Sequence, residues 1–326
     1  MNSLTLKNSI FHGKCWCPKA NEELVLQTLH NLSKKQPHIA GGQIQETMRP
    51  EHVSPPTYFK SNQFTNIFQE IVNTYGIPRY REINPTVFTI ITFPFLFGVM
   101  FGDIAHGFLV FILGLYLMFW KQGLMKSDSI FKQLVPGRHL IVLMGFFSFY
   151  CGLMYNDFLY LSLDLFGSCY QVNTDVSPVE IMKKDGECVY PIGLDPVWVI
   201  SNQDINFTNS YKMKLAVILG VIHMSFGIFL KALNTIHEQK PMDFFFEFIP
   251  QIIFMIFTFG YMIILIFLKW GIDWQPDLFM APSIINIMID IPLKMGTTEN
   301  RPIWGDLIGI EQEEFQKAII CILIVF

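Results

Sequence analysis

Apolar and polar positions follow two regimes along the chain, and the regimes meet at Pro85. Before it, apolar residues recur at helical spacing among charges. Phe64, Ile67, Phe68, Ile71, Val72 and Tyr75 mark one face of a helix, with Ser61 or Asn62 as N-cap and Gly76 and Pro78 at its end. An earlier helix carries Val25, Leu29 and Leu32, starts at a capping Asn21 and ends near Lys34 and Lys35. The stretch between them, KKQPHIAGGQIQETMRPEHVSPP, is rich in Pro and Gly and reads as loop. After Pro85 the apolar residues fall in long runs. A bilayer core of about 30 Å takes ~20 helical residues at 1.5 Å each. The runs predict spans at 86–102, 105–120, 139–155, 213–232 and 244–268, with a partial sixth at 318–326. The first and third are short and must stand nearly upright.

The expected fold is therefore mainly α. It is a polytopic helical membrane bundle of five full spans and a partial sixth (residues 85–326), preceded by a small cytoplasmic α+β segment (residues 1–84). Composition agrees: 51% of the 326 residues are hydrophobic, 32 are Phe and only 15% are charged, against about 25% in an average soluble domain. Mean hydropathy is +0.37. A net charge of −4 points to neither nucleic acid nor a strongly acidic partner. Residues 1–20 carry Lys7, His12, Lys14 and Lys19 and no apolar core of a secretory leader.

Charge in the connections sets an orientation. Residues 121–138 hold Lys121, Lys126, Lys132 and Arg138 against Asp128 and read as cytoplasmic. Residues 156–211 hold eight acids against Lys183 and Lys184, and 269–317 hold eight acids against four bases; both read as luminal. The short 231–243 connection, with Lys231, His237 and Lys240, returns to the cytoplasm, where the basic front segment also lies.

Chemistry-bearing residues are few. Asp103 and His106 stand between Gly102 and Gly107 at the turn of the first hairpin. A carboxylate there is paired, hydrated or capping the next helix; capping by Asp103 with His106 as neighbour is one reading, a proton path the other. His223, in mid-span, is either a path residue or a histidine hydrogen-bonded across a helix interface. Glu247 lies three residues before Pro250 and can snorkel or pair with Lys240. Cys15-Trp16-Cys17 with His12 lacks a second ligand pair for a metal and reads as a strand. Asn206-Phe207-Thr208 is a glycosylation sequon in the luminal stretch, though its closeness to span four argues against occupancy. Cys169 and Cys188 share that stretch and are candidates for a disulfide or for two free thiols. No cofactor site, metal site, nucleotide loop or catalytic constellation emerges.

Wording carries the reading further than physics. The run PPTYFKSNQFTNIFQEIVNTYGIPRYREINPTVFTIITFPFLFGVMFGDIAHG closely resembles subunit a of eukaryotic V-type proton ATPases. So do GRHLIVLMGFFSFYCGLMYND, YPIGLDPVW, NSYKMKLAVILGVIHMSFG, KPMDFFFEFIPQIIFM and YMIILIFLKW, while KCWCP resembles a short strand of that family's cytoplasmic arm. The likeness covers residues 14–326 in order.

What the resemblance implies is a non-catalytic stator subunit of a rotary proton pump in a vacuolar, lysosomal or other endomembrane. Its partners would be the proteolipid c-ring, peripheral stalk subunits, other membrane-sector subunits and lipid, with no nucleic acid. In that family an Arg on a late helix separates two proton half-channels by favouring the ionised ring carboxylate. Three departures follow. The distal arm is absent before KCWCP, the Arg helix is absent after Phe326, and Ala105 replaces a glycine of the family's turn. The chain alone is thus expected not to pump: it is one piece of such a subunit, or a shortened product, with the rest absent or supplied by a second chain bearing the Arg helix. A truncated regulatory or nonfunctional paralogue that binds stalk or ring, and an independent polytopic transporter, are the alternatives. The transporter would show inverted repeats or paired broken helices, and no such pair is visible.

Overall fold

The structure is a computed structural model that describes residues 4–7, 10–35, 44–45, 54–126, 130–173, 180–184, 188–200, 204–272, 281–296, 303 and 311–325. The chain forms two compact units, Met1–Asn84 and Pro85–Phe326.

In the first unit, β1 (Leu4–Lys7) and β2 (Ile10–Gly13) pair antiparallel, with Leu4 opposite Gly13 and Lys7 opposite Ile10. The strand ends before Cys15-Trp16-Cys17, which correct the sequence reading: they lie in irregular chain, and Cys15 and Cys17 are exposed free thiols. A 3-10 turn over Lys19–Asn21 leads into α1 (Glu22–Lys35), whose first turn is acidic and last turn basic, as the helix dipole favours. Next comes α2 (Asn66–Tyr75), which buries Phe68, Gln69 and Val72. It starts later than its periodicity implies, because Ser61 and Asn62 lie in irregular chain and residues 63–65 form a turn before the helix. The Thr65 hydroxyl accepts from the Asn62 amide (2.9 Å) instead of capping the helix. Most of the loop read between the two helices lies outside the described residues.

The second unit opens with α3 (Thr86–Met100) and α4 (Ile104–Phe119), followed by two short helices, α5 (Lys121–Lys126) and α6 (Phe131–Leu134), and then α7 (Arg138–Tyr155). Helix α7 packs on both α3 and α4. Its contact with α4 is built on glycine. A Cβ at Gly107 would lie 2.4 Å from the Phe149 backbone nitrogen, and one at Gly145 would lie 2.4 Å from that of Phe111. Gly114 against Val142 and Gly152 against Ile104 extend the same antiparallel seam. Glycines seven apart on each helix let the two backbones touch, the way helices associate where lipid supplies no hydrophobic drive.

Beyond α7 a second hairpin, β3 (Tyr170–Asn173) and β4 (Glu180–Lys183), pairs Tyr170 with Lys183 and Asn173 with Glu180. Helix α8 (Asp204–His237) is 34 residues long and begins well before the span expected from residue 213. Helix α9 (Pro241–Gly271) is 31 residues long and contains two π-helical stretches, Phe244–Phe248 and Met255–Gly260. A helix unforeseen in the sequence, α10 (Ile284–Leu293), occupies part of the stretch read as loop, and α11 (Gln312–Val325) starts six residues before the partial span. Ile284, Ile287 and Ile291 of α10 join Ile218, Tyr261, Leu265, Ile266, Ile303 and Ile319 in the largest core.

Among the described residues three helices are long and apolar enough to cross a membrane: α7, α8 and α9. Helices α3 and α4 have 15 and 16 residues, or ~23 Å at helical rise. Large apolar side chains stay exposed on these helices, among them Ile91, Leu109, Ile112, Phe229 and Phe246. Apolar surface of this extent fits a protein that meets lipid.

Candidate functional site

One group of polar residues in the apolar unit gathers where α3 turns into α4. Asp103 has extended backbone (φ −146°, ψ 132°), and its Oδ1 accepts from the Ala105 amide at 2.9 Å, an N-cap on α4. The same oxygen takes the Leu159 amide at 3.3 Å, and Oδ2 pairs with His106 Nδ1. The Asp103 side chain is 18% exposed and that of His106 67%. Burial pushes the Asp103 carboxyl up, but the His106 hydrogen bond, the Leu159 and Ala105 amides and the His106 charge outweigh it. The carboxyl is left below its ordinary value of 3.8.

The chain after α7 is strapped to this turn. Asn156 ends α7 in the left-handed region (φ 52°, ψ 44°), and its side chain holds Leu163 and Leu194. The Asp157 carbonyl accepts from Ile104 N (2.9 Å), so the first free amide of α4 is satisfied from outside its own helix. Leu159 and Tyr160 both take positive φ (50° and 68°) in a tight turn closed by the Phe158–Leu161 bridge. Two large L-residues there are strained. Asp157 Oδ1 accepting from Tyr160 N (3.0 Å) and Asp103 Oδ1 accepting from Leu159 N hold the turn.

Beside it, Lys212 on α8 pairs with Asp157 at 2.7 Å and lies over the Tyr155 ring. The Tyr155 hydroxyl donates to Val99 O (2.9 Å), and Ser148 Oγ donates to Phe101 O (2.6 Å). Both bonds satisfy carbonyls left over at the end of α3. A cavity of about 190 Å³ opens among Asn156, Asp157, Tyr160, Asp195, Trp198 and Lys212. Asp195 is buried and accepts from Ser168 Oγ, Cys169 N and Val197 N. Next to it Cys169 and Cys188 are bonded, Cα to Cα 5.7 Å, at the base of the β3–β4 hairpin.

Of the residues singled out in the sequence, the fold brings Asp103, His106 and the bonded Cys169 and Cys188 to this cluster and leaves His223 and Glu247 elsewhere on α8 and α9. His223 is exposed on α8 and, among the described residues, makes no side-chain hydrogen bond. Glu247 pairs with Lys231, not with Lys240, whose partner is Glu238 (2.6 Å); Lys231 also donates to Gln251 (3.2 Å). One helix-to-helix reach from α8 to α9 decides that choice. Asn206 is exposed in the first turn of α8 rather than in a loop. Among the described residues no group of three or more His, Cys, Asp or Glu could hold a metal ion. Sequence reasoning missed Asn156, Asp157, Asp195 and Lys212. Their signal is faint: polar residues at the ends of apolar runs, in MYND, LDPVW and NSYKMKL.

Against known proteins, residues 1–326 match the V-type ATPase 116kDa subunit family. The chain belongs to that family. It is 38% identical over 350 residues to the V-type proton ATPase 116 kDa subunit a 1 of Gallus gallus, covering 98% of this chain and 41% of the relative. It is 39% identical over 295 residues to the V-type proton ATPase subunit a of Schizosaccharomyces pombe, covering 88% and 34%. It is 38% identical over 315 residues to the V-type proton ATPase 116 kDa subunit a 2 of Homo sapiens, covering 87% and 36%. The chain thus spans well under half the length of these relatives. Within this V-type ATPase family member, Asp103, His106, Asn156, Asp157, Asp195 and Lys212 all fall in stretches that carried the resemblance, MFGDIAHG, GLMYND, GLDPVW and NSYKMKL.

Proposed function

We propose that this chain is a non-catalytic, membrane-embedded stator segment of a V-type proton ATPase. Its role is to scaffold proton transfer against a ring of proteolipid subunits in an endomembrane. The family match over all 326 residues carries this reading. Helices α3, α4, α7, α8 and α9 are the five crossings and α11 the start of a sixth. The front segment and residues 121–138 face the cytoplasm, and 156–211 face the lumen, where Cys169 and Cys188 pair and Asn206 stands as a candidate acceptor. Hydrogen bonds support that alternation: Leu159 N to Asp103 joins the 156–211 stretch to the α3–α4 turn, which the alternation puts on the same side, and the Lys231–Glu247 pair joins the ends of α8 and α9 assigned to the other.

The polar cluster has a positioning role in this scheme. Asp103, Asp157 and Lys212 tie the ends of α3, α4, α7 and α8 into one block, with a direct proton role for Asp103 or His106 second to that. Tagged chain purified from its own cells should bring down proteolipid-ring and stalk subunits and, reconstituted by itself, carry no proton flux. A chain that purifies alone and conducts protons would overturn the proposal.

A further inference from the structure

Inside the core formed by α9, α10 and α11, three polar side chains meet among isoleucines and leucines. The Tyr261 hydroxyl accepts from Gln316 Nε2 (2.9 Å) and from Gln312 Nε2 (3.3 Å). Gln312 is itself satisfied, since its Oε1 accepts from Ile303 N at 2.7 Å. Gln316 is not. It is fully buried, and its Oε1 has no hydrogen-bond partner among the described residues. Turning the amide over only exchanges which polar atom meets Tyr261 and leaves the other facing the same place.

A second orphan lies on α9. Thr258 Oγ1, three residues before Tyr261 on α9, is buried and likewise without a partner among the described residues. It sits in the π-helical stretch Met255–Gly260, which lies against α11. A π-turn is wider than an α-turn and recurs where helices are adapted to a site. Thr258 has therefore not taken the usual escape for a helical hydroxyl, a bond to the carbonyl one turn back.

From this geometry we infer an internal water site between α9 and α11, held by Gln316 Oε1 and Thr258 Oγ1 beside the Tyr261 hydroxyl. Water is the ligand class that fits. The contact between α9 and α11 offers an amide oxygen from Gln316 and a hydroxyl from Thr258, three residues before Tyr261. It carries no charge for an ion, and buried waters bind where otherwise unsatisfied polar atoms converge. Leaving both atoms dry would forfeit two hydrogen bonds in surroundings that offer no other partner. Gln312 and the Ile303 amide prolong the seam toward the start of α11, so the polar line runs along the helix contact for more than one turn. The inference does not depend on the chain's assembly into a pump.

Radiolytic labelling tests it directly. A short X-ray pulse on the intact chain in detergent, in ¹⁸O-enriched water, converts bound waters to radicals that oxidise the side chains they touch. Tyr261 and Leu265 are 2% and 0% exposed and one turn apart on α9. Relative to its own rate in the denatured chain, Tyr261 should label several-fold faster than Leu265. Equal protection of the two would mean a dry site and would overturn the inference. In the Thr258→Val, Gln316→Leu double variant the excess labelling of Tyr261 should disappear; an unchanged excess would also overturn it. The comparison within the unsubstituted chain stands even where that variant fails to fold.

Discussion

Asp103 shows how much one side chain can be asked to do. Its two oxygens cap α4, hold the strained Leu159–Tyr160 turn and pair with His106. Because its carboxyl sits below its ordinary value of 3.8, its stabilisation is full above that value and drains away only as pH falls through the folded one. Asp103→Ala should lower stability by about 1 kcal/mol, the usual loss for a cap. In thermal melts that deficit should stay constant from about pH 7 to about pH 5 and close below about pH 4. A deficit already gone near the middle of that range would mean the anchor is not an ionised carboxylate. Tyr155→Phe is a sharper test of packing. It removes the donor to Val99 O inside a buried contact, so about 1–3 kcal/mol should be lost through the orphaned carbonyl, measured as the unfolding midpoint in detergent. No change would show that Val99 O finds another donor.

At the scale of elements, the α4–α7 seam is the contact most sensitive to a single atom. Gly107→Leu or Gly145→Leu places side chain where backbone already lies, and overpacking of this kind costs about 1–3 kcal/mol or more. Both should fall in yield and melting temperature. Gly123→Leu, where a Cβ meets nothing within 4 Å, should leave both unchanged. Equal behaviour of all three would sink the seam.

Which elements were legible follows from the same physics. The long apolar runs at 86–102, 105–120 and 139–155 became helices within about two residues of their expected ends, because uninterrupted apolar runs of that length are too long for strands and read as helix. Helix α10 was missed because its short apolar run carries Asp290 and Pro292 and lies in a stretch whose overall charge reads as loop. The late start of α2 and the early start of α8 were missed for one reason: apolar periodicity marks where a helix is buried, not where its hydrogen bonds begin.

For the whole molecule, the thiols divide by location. Cys169 and Cys188 are bonded beside the buried Asp195, while Cys15 and Cys17 are exposed thiols of the first unit. Alkylation of the native chain followed by non-reducing mass spectrometry should find the first pair linked and the second pair alkylated. A linked Cys15 or a free Cys188 would contradict the proposed sidedness, since a lumen oxidises and a cytosol reduces.

By itself the sequence determined the class of the molecule, the place where a charged front yields to apolar helices, and the family to which its wording belongs. Those depend on local composition and on runs longer than a helical turn, which no tertiary contact can reverse. Partners across distance were decided only in the folded chain. Lys231 rather than Lys240 for Glu247, Lys212 for Asp157, Leu159 for Asp103 and the buried Tyr261–Gln316 contact all join residues at least sixteen positions apart. Pairings of that kind depend on helix register and on the glycines that set how closely two backbones approach. Register is a property of two elements together, so no single stretch of chain contains it.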